Sequence, residues 1–233
     1  MSGPHHSPFD VVIVDFGGGN LGSVARAFER LSCPVHITQD PGTIESARAV
    51  VLPGVGHFGA VMRQLDQRGL RDPLRHVVVD RAIPFLGICV GMQALFEGSE
   101  EAPDVRGLGL VPGACRRLRP EVGLKIPQVG WNAVRCVPGP ACASAVGDAA
   151  RGHADYEGFA YFVNSYVCVP EESVRHDSRW AYELHAEFGR QTFCAGLVAG
   201  SITAMQFHPE KSGAYGLRLL RHWLHATRSS PAA

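Results

Sequence analysis

The sequence lacks several features that mark particular classes of protein. Its 22 Lys and Arg residues balance 22 Asp and Glu residues, so the formal net charge is zero with the eleven histidines counted as neutral. A chain without excess charge has no electrostatic footprint for nucleic acid or for an anionic membrane. No apolar run approaches the about 18 residues that a membrane span requires, and the N-terminus has no signal-peptide pattern. We therefore expect a cytoplasmic protein that binds neither nucleic acid nor membrane.

Paired cysteines and metal-ligand motifs are also absent. The seven cysteines are odd in number and widely spaced, and no C-x-x-C motif indicates a zinc site or a redox dithiol. Reduced thiols of this kind fit a cytosolic protein. His222 and His225 lie on one face of the last predicted helix, but no third ligand accompanies them. We expect no metal and no cofactor.

The composition is that of a globular protein with a packed core. Hydrophobic residues make up 45% and charged residues 19% of the 233 residues. Because α/β domains reach about 250 residues, a single domain is favoured over two. We predict a disordered N-terminal tail over residues 1–8, one domain over 9–226 and a C-terminal tail over 227–233, with no internal repeat and no linker.

The first half of the chain alternates strand and helix patterns. An apolar run at 9–16 predicts a strand, three glycines predict a tight turn, and residues 21–31 have apolar residues at helical spacing. Such alternation is typical of a parallel sheet covered on both faces. Further strands are predicted at 35–38, 49–52 and 83–86, helices at 61–65 and 74–80, and a turn at 40–42.

The second half has a different texture. Short strand patterns follow one another without helices of comparable length, which favours antiparallel pairing. The overall prediction is an α/β fold with a central, mostly parallel sheet flanked by helices and an antiparallel region in the second half. The predicted elements are strands at 108–111, 114–118, 133–137, 159–163, 167–169 and 202–207, a turn-rich surface excursion at 138–155, and a closing helix at 215–225.

The first candidate site is the glycine-rich turn from Gly17 to Gly22. It matches G-x-G-x-x-G between a strand and a helix, and Asp40 follows at a distance suited to a ribose contact. This pattern is a dinucleotide fingerprint. A glycine-rich turn also serves close packing in many α/β folds, so the turn alone leaves both interpretations open.

The second candidate is Cys89, within G-I-C-V-G at 87–91. An apolar strand leads into this segment and a helical pattern leads out of it, which is the arrangement of a nucleophile elbow with cysteine in place of serine. Glycines on both sides allow a sharp turn that lifts the nucleophile clear of the sheet. The N–H groups at the helix start favour a thiolate, and the amide of Val90 would face a developing oxyanion. The alternative is a structural cysteine between packing glycines.

His208 and Glu210 supply a candidate base and its orienting group. They follow a strand within Q-F-H-P-E, and in extended backbone residues two apart face the same side. Glu210 could then hold the tautomer of His208 while His208 moves the proton of Cys89. A single histidine at a strand end is usually an ordinary polar residue, but the paired glutamate and the elbow cysteine favour a triad.

With these motifs the sequence resembles the class I, triad-type glutamine amidotransferases. Within them it is most similar to the glutaminase subunits of imidazole glycerol phosphate synthases. The similar segments span the chain: D-F-G-G-G-N-L-G-S-V at 15–24, P-G-V-G-H-F-G at 53–59, G-I-C-V-G-M-Q at 87–93, V-G-W-N at 129–132 and Q-F-H-P-E-K-S at 206–212. Asn164 and Val129 depart from the residues common in that family, which are His and Met.

The resemblance implies a flavodoxin-like amidotransferase fold and a function. Glutamine would be hydrolysed to glutamate and ammonia, and the ammonia would pass to a (β/α)₈ cyclase subunit in histidine biosynthesis, forming a heterodimer. Neither metal nor organic cofactor is implied. By position, the triad is Cys89, His208 and Glu210; the oxyanion hole is Val90 with Gly54, Val55 and Gly56; the substrate-binding residues are Gln93, Asn164, Ser165 and Tyr166; and the partner-facing residues are Asn20, Trp131 and Lys211.

Three other hypotheses stay open from the sequence. One is the glutaminase of another biosynthetic pathway, such as anthranilate, aminodeoxychorismate or pyridoxal phosphate synthesis. Another is a catalytically silent module of the same fold that regulates a partner. The third is a dinucleotide-dependent oxidoreductase, which only the turn from Gly17 to Gly22 supports.

Overall fold

A single mixed sheet forms the centre of the protein in a computed structural model, which describes residues 11–143 and 155–229. The predicted tail over 1–8 and most of the excursion at 138–155 lie outside these residues. The strands are β1 (Val11–Val14), β2 (Val35–Thr38), β3 (Val50–Gly54), β4 (Phe85–Cys89), β5 (Gly113–Arg117), β6 (Gln128–Pro138), β7 (Gly158–Asn164), β8 (Tyr166–Pro170), β9 (Trp180–Phe188), β10 (Gln191–Ala199) and β11 (Ile202–Met205). The helices are α1 (Leu21–Glu29), α2 (Pro41–Glu45), α3 (Phe58–Gln67), α4 (Arg71–Val79), α5 (Val90–Gln93), α6 (Pro140–Ala143), α7 (Glu172–Arg175) and α8 (Gly213–Ser229).

Five parallel strands form one half of the sheet, in the order β2-β1-β3-β4-β11. Strands β1, β3 and β4 are buried along their whole length, which explains their continuous apolar runs. Strand β11 is far away in sequence but pairs with β4 in parallel, with Met205 opposite Ile88. The carboxyl ends of β4 and β11 therefore meet at the same edge of the sheet.

The other half of the sheet is antiparallel, as predicted. It continues from β11 through β10, β9 and β6 to β7, while β8 pairs with both β10 and β5. The prediction missed β9 and β10, each of which has nine residues. Polar residues interrupt the apolar pattern of β9, because one face of this strand is only partly covered. The strand predicted at 108–111 is wrong: the amides of Leu108 and Val111 donate to the carbonyls of Ala94 and Leu95, so this segment wraps around the end of α5.

Two local predictions in the first half also need correction. The turn predicted at 40–42 is the start of α2, because the carboxylate of Asp40 accepts a 2.8 Å hydrogen bond from the amide of Thr43 and caps the helix. Pro41 is compatible with the first helical turn, where its missing N–H has no acceptor to lose. Strand β3 does not stop before Pro53 but continues in register, with Pro53 opposite Ile88.

The closing helix α8 packs its apolar face against the sheet and against α1. Leu220 and Leu224 are buried as predicted, and Leu217 is partly buried against the same core. The ring of Trp223 meets that of Phe28 edge-on at 5.8 Å, which fixes α8 beside α1. Burial of each such side chain contributes roughly 1.5–3 kcal/mol. Within the described part of the chain, no helix combines the length and the apolar character needed to cross a membrane.

Candidate active site

Cys89 lies at a sharp corner between β4 and α5. Its backbone has φ 55° and ψ −111°, a conformation that costs a residue with a side chain on the order of 1–3 kcal/mol. The flanking glycines permit this corner. A Cβ atom on Gly91 would lie 1.9 Å from the carbonyl oxygen of Leu52, and one on Gly87 would lie 2.8 Å from the carbonyl oxygen of Gly91. Glycine is therefore required on both sides by close backbone approach.

His208 faces Cys89 from the end of β11 and is bound to Glu210 behind it. The distance from Nδ1 of His208 to Oε1 of Glu210 is 2.9 Å, and the two side chains are only 4% and 1% exposed. His208 has the extended backbone that we expected, but the two residues after it do not. A 3-10 turn at Pro209–Lys211 places the carboxylate beside the imidazole instead. The sequence thus predicted the contact between His208 and Glu210, but not the backbone conformation that produces it.

The pKa of His208 is raised to about 9. Burial alone would lower this pKa, because it penalises the imidazolium ion. Hydrogen bonds with Cys89 and Glu210, together with the negative charges of these two groups, outweigh the burial and favour the charged form. The site therefore holds a protonated His208 between two acceptors at neutral pH.

A cavity of about 270 Å³ opens at this edge of the sheet. Such a volume lies just below the about 300–1,000 Å³ of pockets for drug-sized ligands, so it suits a molecule of the size of an amino acid. Ten predicted site residues line it: Val55, Gly56, Cys89, Val90, Gln93, Asn164, Ser165, Tyr166, His208 and Lys211.

Four predicted residues do not line this cavity. Gly54 packs against α5, because a Cβ atom there would lie 2.7 Å from the amide nitrogen of Gly91. Glu210 stands behind His208. Asn20 precedes α1 at the carboxyl end of β1, and Trp131 is on the outer face of β6.

The cavity wall also contains a carboxylate that the sequence analysis missed. Oε2 of Glu101 accepts a 2.6 Å hydrogen bond from the amide of Phe58, at the first turn of α3. This bond fixes the carboxylate beside the cavity, and Lys211 supplies a cation among the lining residues. One negative and one positive side chain in the same cavity suit a zwitterionic amino acid. Glu101 lies in a loop without a recognisable motif, so no sequence pattern could have indicated it.

Gln93 and the residues 164–166 form the opposite wall. Nε2 of Gln93 donates to Oε1 of Gln206 at 3.0 Å and lies 3.4 Å from the carbonyl oxygen of Tyr166. The side-chain nitrogen Nδ2 of Asn164 donates to the same carbonyl at 3.1 Å. The side-chain oxygen Oδ1 of Asn164 is buried without a hydrogen-bond partner among the described residues. The backbone of Ser165 is held by the amide of Leu118 at 2.9 Å.

A strip of apolar side chains lies next to the cavity, on the outer face of the β6–β7 ribbon. The register places Val129 opposite Val163 and Trp131 opposite Tyr161, with Phe159 farther along the same face. Trp131 is 59% and Phe159 65% exposed. Val163 belongs to both the strip and the cavity wall. Contiguous exposed apolar side chains are a common feature of protein–protein contact surfaces.

Comparisons with known proteins agree with one another. The pattern of the family Glutamine amidotransferase class-I matches residues 12–226. The chain is 41% identical to the imidazole glycerol phosphate synthase subunit HisH of Herpetosiphon aurantiacus over 94% of this chain and 95% of that protein. It is 42% identical to the protein of the same name from Moorella thermoacetica, over 91% and 93% of the two chains.

Solved structures are similar in fold. A crystal structure described as a glutamine amidotransferase has a TM-score of 0.68 at 18% identity and covers 94% of this chain and 99% of its own. A structure described as PurLQS from Thermotoga maritima has a TM-score of 0.60 at 16% identity, with 93% and 97% covered. At these identities the likeness concerns the fold alone.

Proposed function

The chain belongs to the class I glutamine amidotransferase family, and from this premise we propose that it is the glutaminase subunit of an imidazole glycerol phosphate synthase. It hydrolyses glutamine to glutamate and ammonia for histidine biosynthesis. The observation that carries the chemistry is the placement of Cys89 beside His208, which is hydrogen-bonded to Glu210, at the edge of a cavity sized for an amino acid. Similarity over nearly the whole chain to two HisH subunits supports the pathway.

The reaction begins at the sulfur of Cys89. The thiolate attacks the carbonyl carbon of the glutamine side-chain amide, and a tetrahedral oxyanion forms. His208 then gives its proton to the departing nitrogen, which leaves as ammonia while a thioester forms. A water molecule hydrolyses the thioester after giving its proton to His208. Glu210 holds the imidazole in place and stabilises its charged form.

Backbone amides stabilise the oxyanion. The N–H of Val90 is at the first position of α5, where amides have no acceptor within the helix. Val55 and Gly56 follow β3, whose last residue is paired with Cys89, and both line the cavity; Gly56 has φ +98°. Gly54, which was also predicted for the oxyanion hole, packs closely against Gly91.

Two side chains of opposite charge bind the α-ammonium and α-carboxylate groups of the substrate. The carboxylate of Glu101 faces the α-ammonium group, and the ammonium of Lys211 faces the α-carboxylate, since each lies among the cavity-lining residues with the opposite charge. Gln93 and the segment from Asn164 to Tyr166 contact the remainder of the substrate. Each good charge-assisted hydrogen bond contributes roughly 1.5–3 kcal/mol.

The apolar strip of β6 and β7 is the surface that binds the cyclase subunit, which we propose to be a (β/α)₈ barrel. Trp131 and Phe159 are the anchors, since large exposed aromatic side chains dominate binding energies at interfaces. Asn20 and Lys211 lie at the same carboxyl edge of the parallel strands. We propose that the complex acts in the cytoplasm, a reducing compartment that fits the seven cysteines without disulfide bonds.

The test is glutamate release from glutamine by the purified chain, alone and with a cyclase subunit plus its ribonucleotide substrate. Cys89→Ala provides the blank. We expect activity that rises sharply with the loaded partner. Activity that the partner leaves unchanged would assign the chain to another amidotransferase, and a folded, partner-binding but inactive chain would indicate a regulatory module. An active Cys89→Ala protein would contradict the mechanism.

A further inference from the structure

Gln206 is a fully buried polar residue that the triad mechanism does not use. It follows β11, and its backbone amide donates to the carbonyl of Ala195 at 2.8 Å. Its side chain touches two residues of the site. Nε2 lies 3.7 Å from the sulfur of Cys89, and Oε1 accepts the 3.0 Å bond from Nε2 of Gln93. A buried amide with both ends engaged at a reaction centre has a defined orientation.

The backbone carbonyl of Tyr166 determines which end of each glutamine side chain donates a hydrogen bond. The carbonyl of Tyr166 can only accept, so the atom of Gln93 that approaches it at 3.4 Å is the amide nitrogen. The same nitrogen donates to Gln206, which therefore presents its oxygen to Gln93. The nitrogen of Gln206 is left to face the sulfur. The series thus ends with an N–H donor aimed at Cys89.

We propose that Gln206 positions the nucleophile and stabilises its thiolate by this N–H, with its orientation set through Gln93 by the carbonyl of Tyr166. A donor favours the charged sulfur over the neutral thiol, because the thiolate is the stronger acceptor. The inference deepens the proposed function, since it takes Cys89 as the nucleophile. It also links β8, which begins at Tyr166 in the cavity wall, to the reacting atom.

Other charged or titratable groups near Cys89 also affect the reactivity of its thiol. His208, with Glu210 behind it, and Cys168 of β8 are both close enough to Cys89 to interact with its sulfur electrostatically. Glu101 and Lys211 line the cavity from two further elements. None of these groups is altered when Gln206 is replaced. A change in the reactivity of Cys89 can then be assigned to the lost donor.

The experiment measures alkylation of Cys89 by iodoacetamide as a function of pH, because only the thiolate reacts. Cys89→Ala corrects for the other thiols. Gln206→Met keeps a side chain of similar length without a donor, and Gln206→Glu keeps the acceptor for Gln93 but places a carboxylate beside the sulfur. We expect the midpoint pH of alkylation to rise by about one unit or more in the first variant and further in the second.

Turnover supplies a second readout. In Gln206→Met we expect kcat for glutamine to fall by about tenfold or more, because the lost donor acts on the nucleophile. Should this variant fail to fold, Gln93→Met interrupts the same series one step earlier and should shift the alkylation midpoint in the same direction by a smaller amount.

The matched control is Gln128→Met, another buried glutamine in β6 that makes no described contact with Cys89. Its alkylation midpoint should equal that of the wild type. An unchanged midpoint in folded Gln206→Met, or an equal shift in Gln128→Met, would overturn the proposal. A shifted midpoint in a chain that never releases glutamate would leave the role of Gln206 intact and overturn the proposed glutaminase instead.

Discussion

Replacing Glu210 with Gln is the most informative perturbation of the catalytic pair. Glutamine has nearly the same shape as glutamate and keeps an acceptor for Nδ1 of His208, but it removes the negative charge. The two side chains are 4% and 1% exposed, so solvent screens this charge very little. The variant thus isolates what the charge of Glu210 does for the imidazolium ion of His208.

The expected magnitude follows from the energy of the bond. A hydrogen bond to a charged partner is worth about 1.5–3 kcal/mol, which corresponds to roughly one to two pH units at His208. The pKa of His208 is about 9 in the folded protein, against 6.5 for the unperturbed group. Glu210→Gln should move it back toward neutrality. The imidazolium ion that gives its proton to the leaving nitrogen is then less stabilised and less populated, and we expect kcat to fall by about 10- to 160-fold.

The substitution Glu210→Gln should also change the free energy of unfolding. Because the folded pKa of His208 lies above the unfolded value, the charged pair stabilises the fold fully below about pH 6.5 and loses this contribution as the pH rises through about 9. Urea unfolding should therefore show wild type more stable than Glu210→Gln by about 1.5–3 kcal/mol at pH 6. The difference should shrink as the pH rises from about 6.5 to 9 and be small above that range.

Two results would refute this reasoning. A difference in unfolding free energy that does not depend on pH between 6 and 9 would show that the charge of Glu210 does not act through the proton of His208. Glutamate release with an unchanged pH profile in Glu210→Gln would show the same for catalysis. The assay uses the partner-stimulated reaction, with Cys89→Ala as the blank.

Three further predictions concern the cavity, the interface and the elbow. Glu101→Gln should raise KM for glutamine by about tenfold or more with little change in kcat, measured by glutamate release, because the charge contacts the substrate and not the reacting atoms. Trp131→Ala should weaken binding of the cyclase subunit by about 30-fold in calorimetry, whereas Val122→Ala, on a fully exposed loop residue away from the strip, should not. Gly91→Ala should lower the urea midpoint strongly, since its Cβ would meet a backbone carbonyl at 1.9 Å; Gly22→Ala, where only the flexible end of an arginine is near, should leave the midpoint unchanged or raised.

The local elements could be predicted where the chemistry of a few neighbouring residues decides them. Buried parallel strands need continuous apolar runs, so β1, β3 and β4 were recognisable to within a few residues. Strands β9 and β10 were missed because polar residues interrupt the apolar pattern of β9, and because β10 begins with two polar residues and contains a glycine. The helix α2 was missed because Asp-Pro-Gly is as common in turns as at helix starts.

The residues of the candidate site likewise fall into those that could be recognised in the sequence and those that could not. The elbow at Cys89 was recognisable because it needs glycines at fixed positions, and the segment with His208 and Glu210 because the two residues are close in sequence. Glu101 and Gln206 were not recognised. Their place in the site depends on how a loop packs against α3 and on which strand follows β4 in the sheet, and neither is encoded in a short motif.

The amino-acid order alone specifies the chemical identity of the parts: an α/β chain, a cysteine between glycines, and a histidine with a glutamate beside it. That these parts meet depends on the folded arrangement of the strands. Strand β11 pairs in parallel with β4, and this brings His208 to Cys89 across more than a hundred intervening residues. The pKa of His208 depends on that meeting, because burial and charge act over a few ångströms of space and not along the chain.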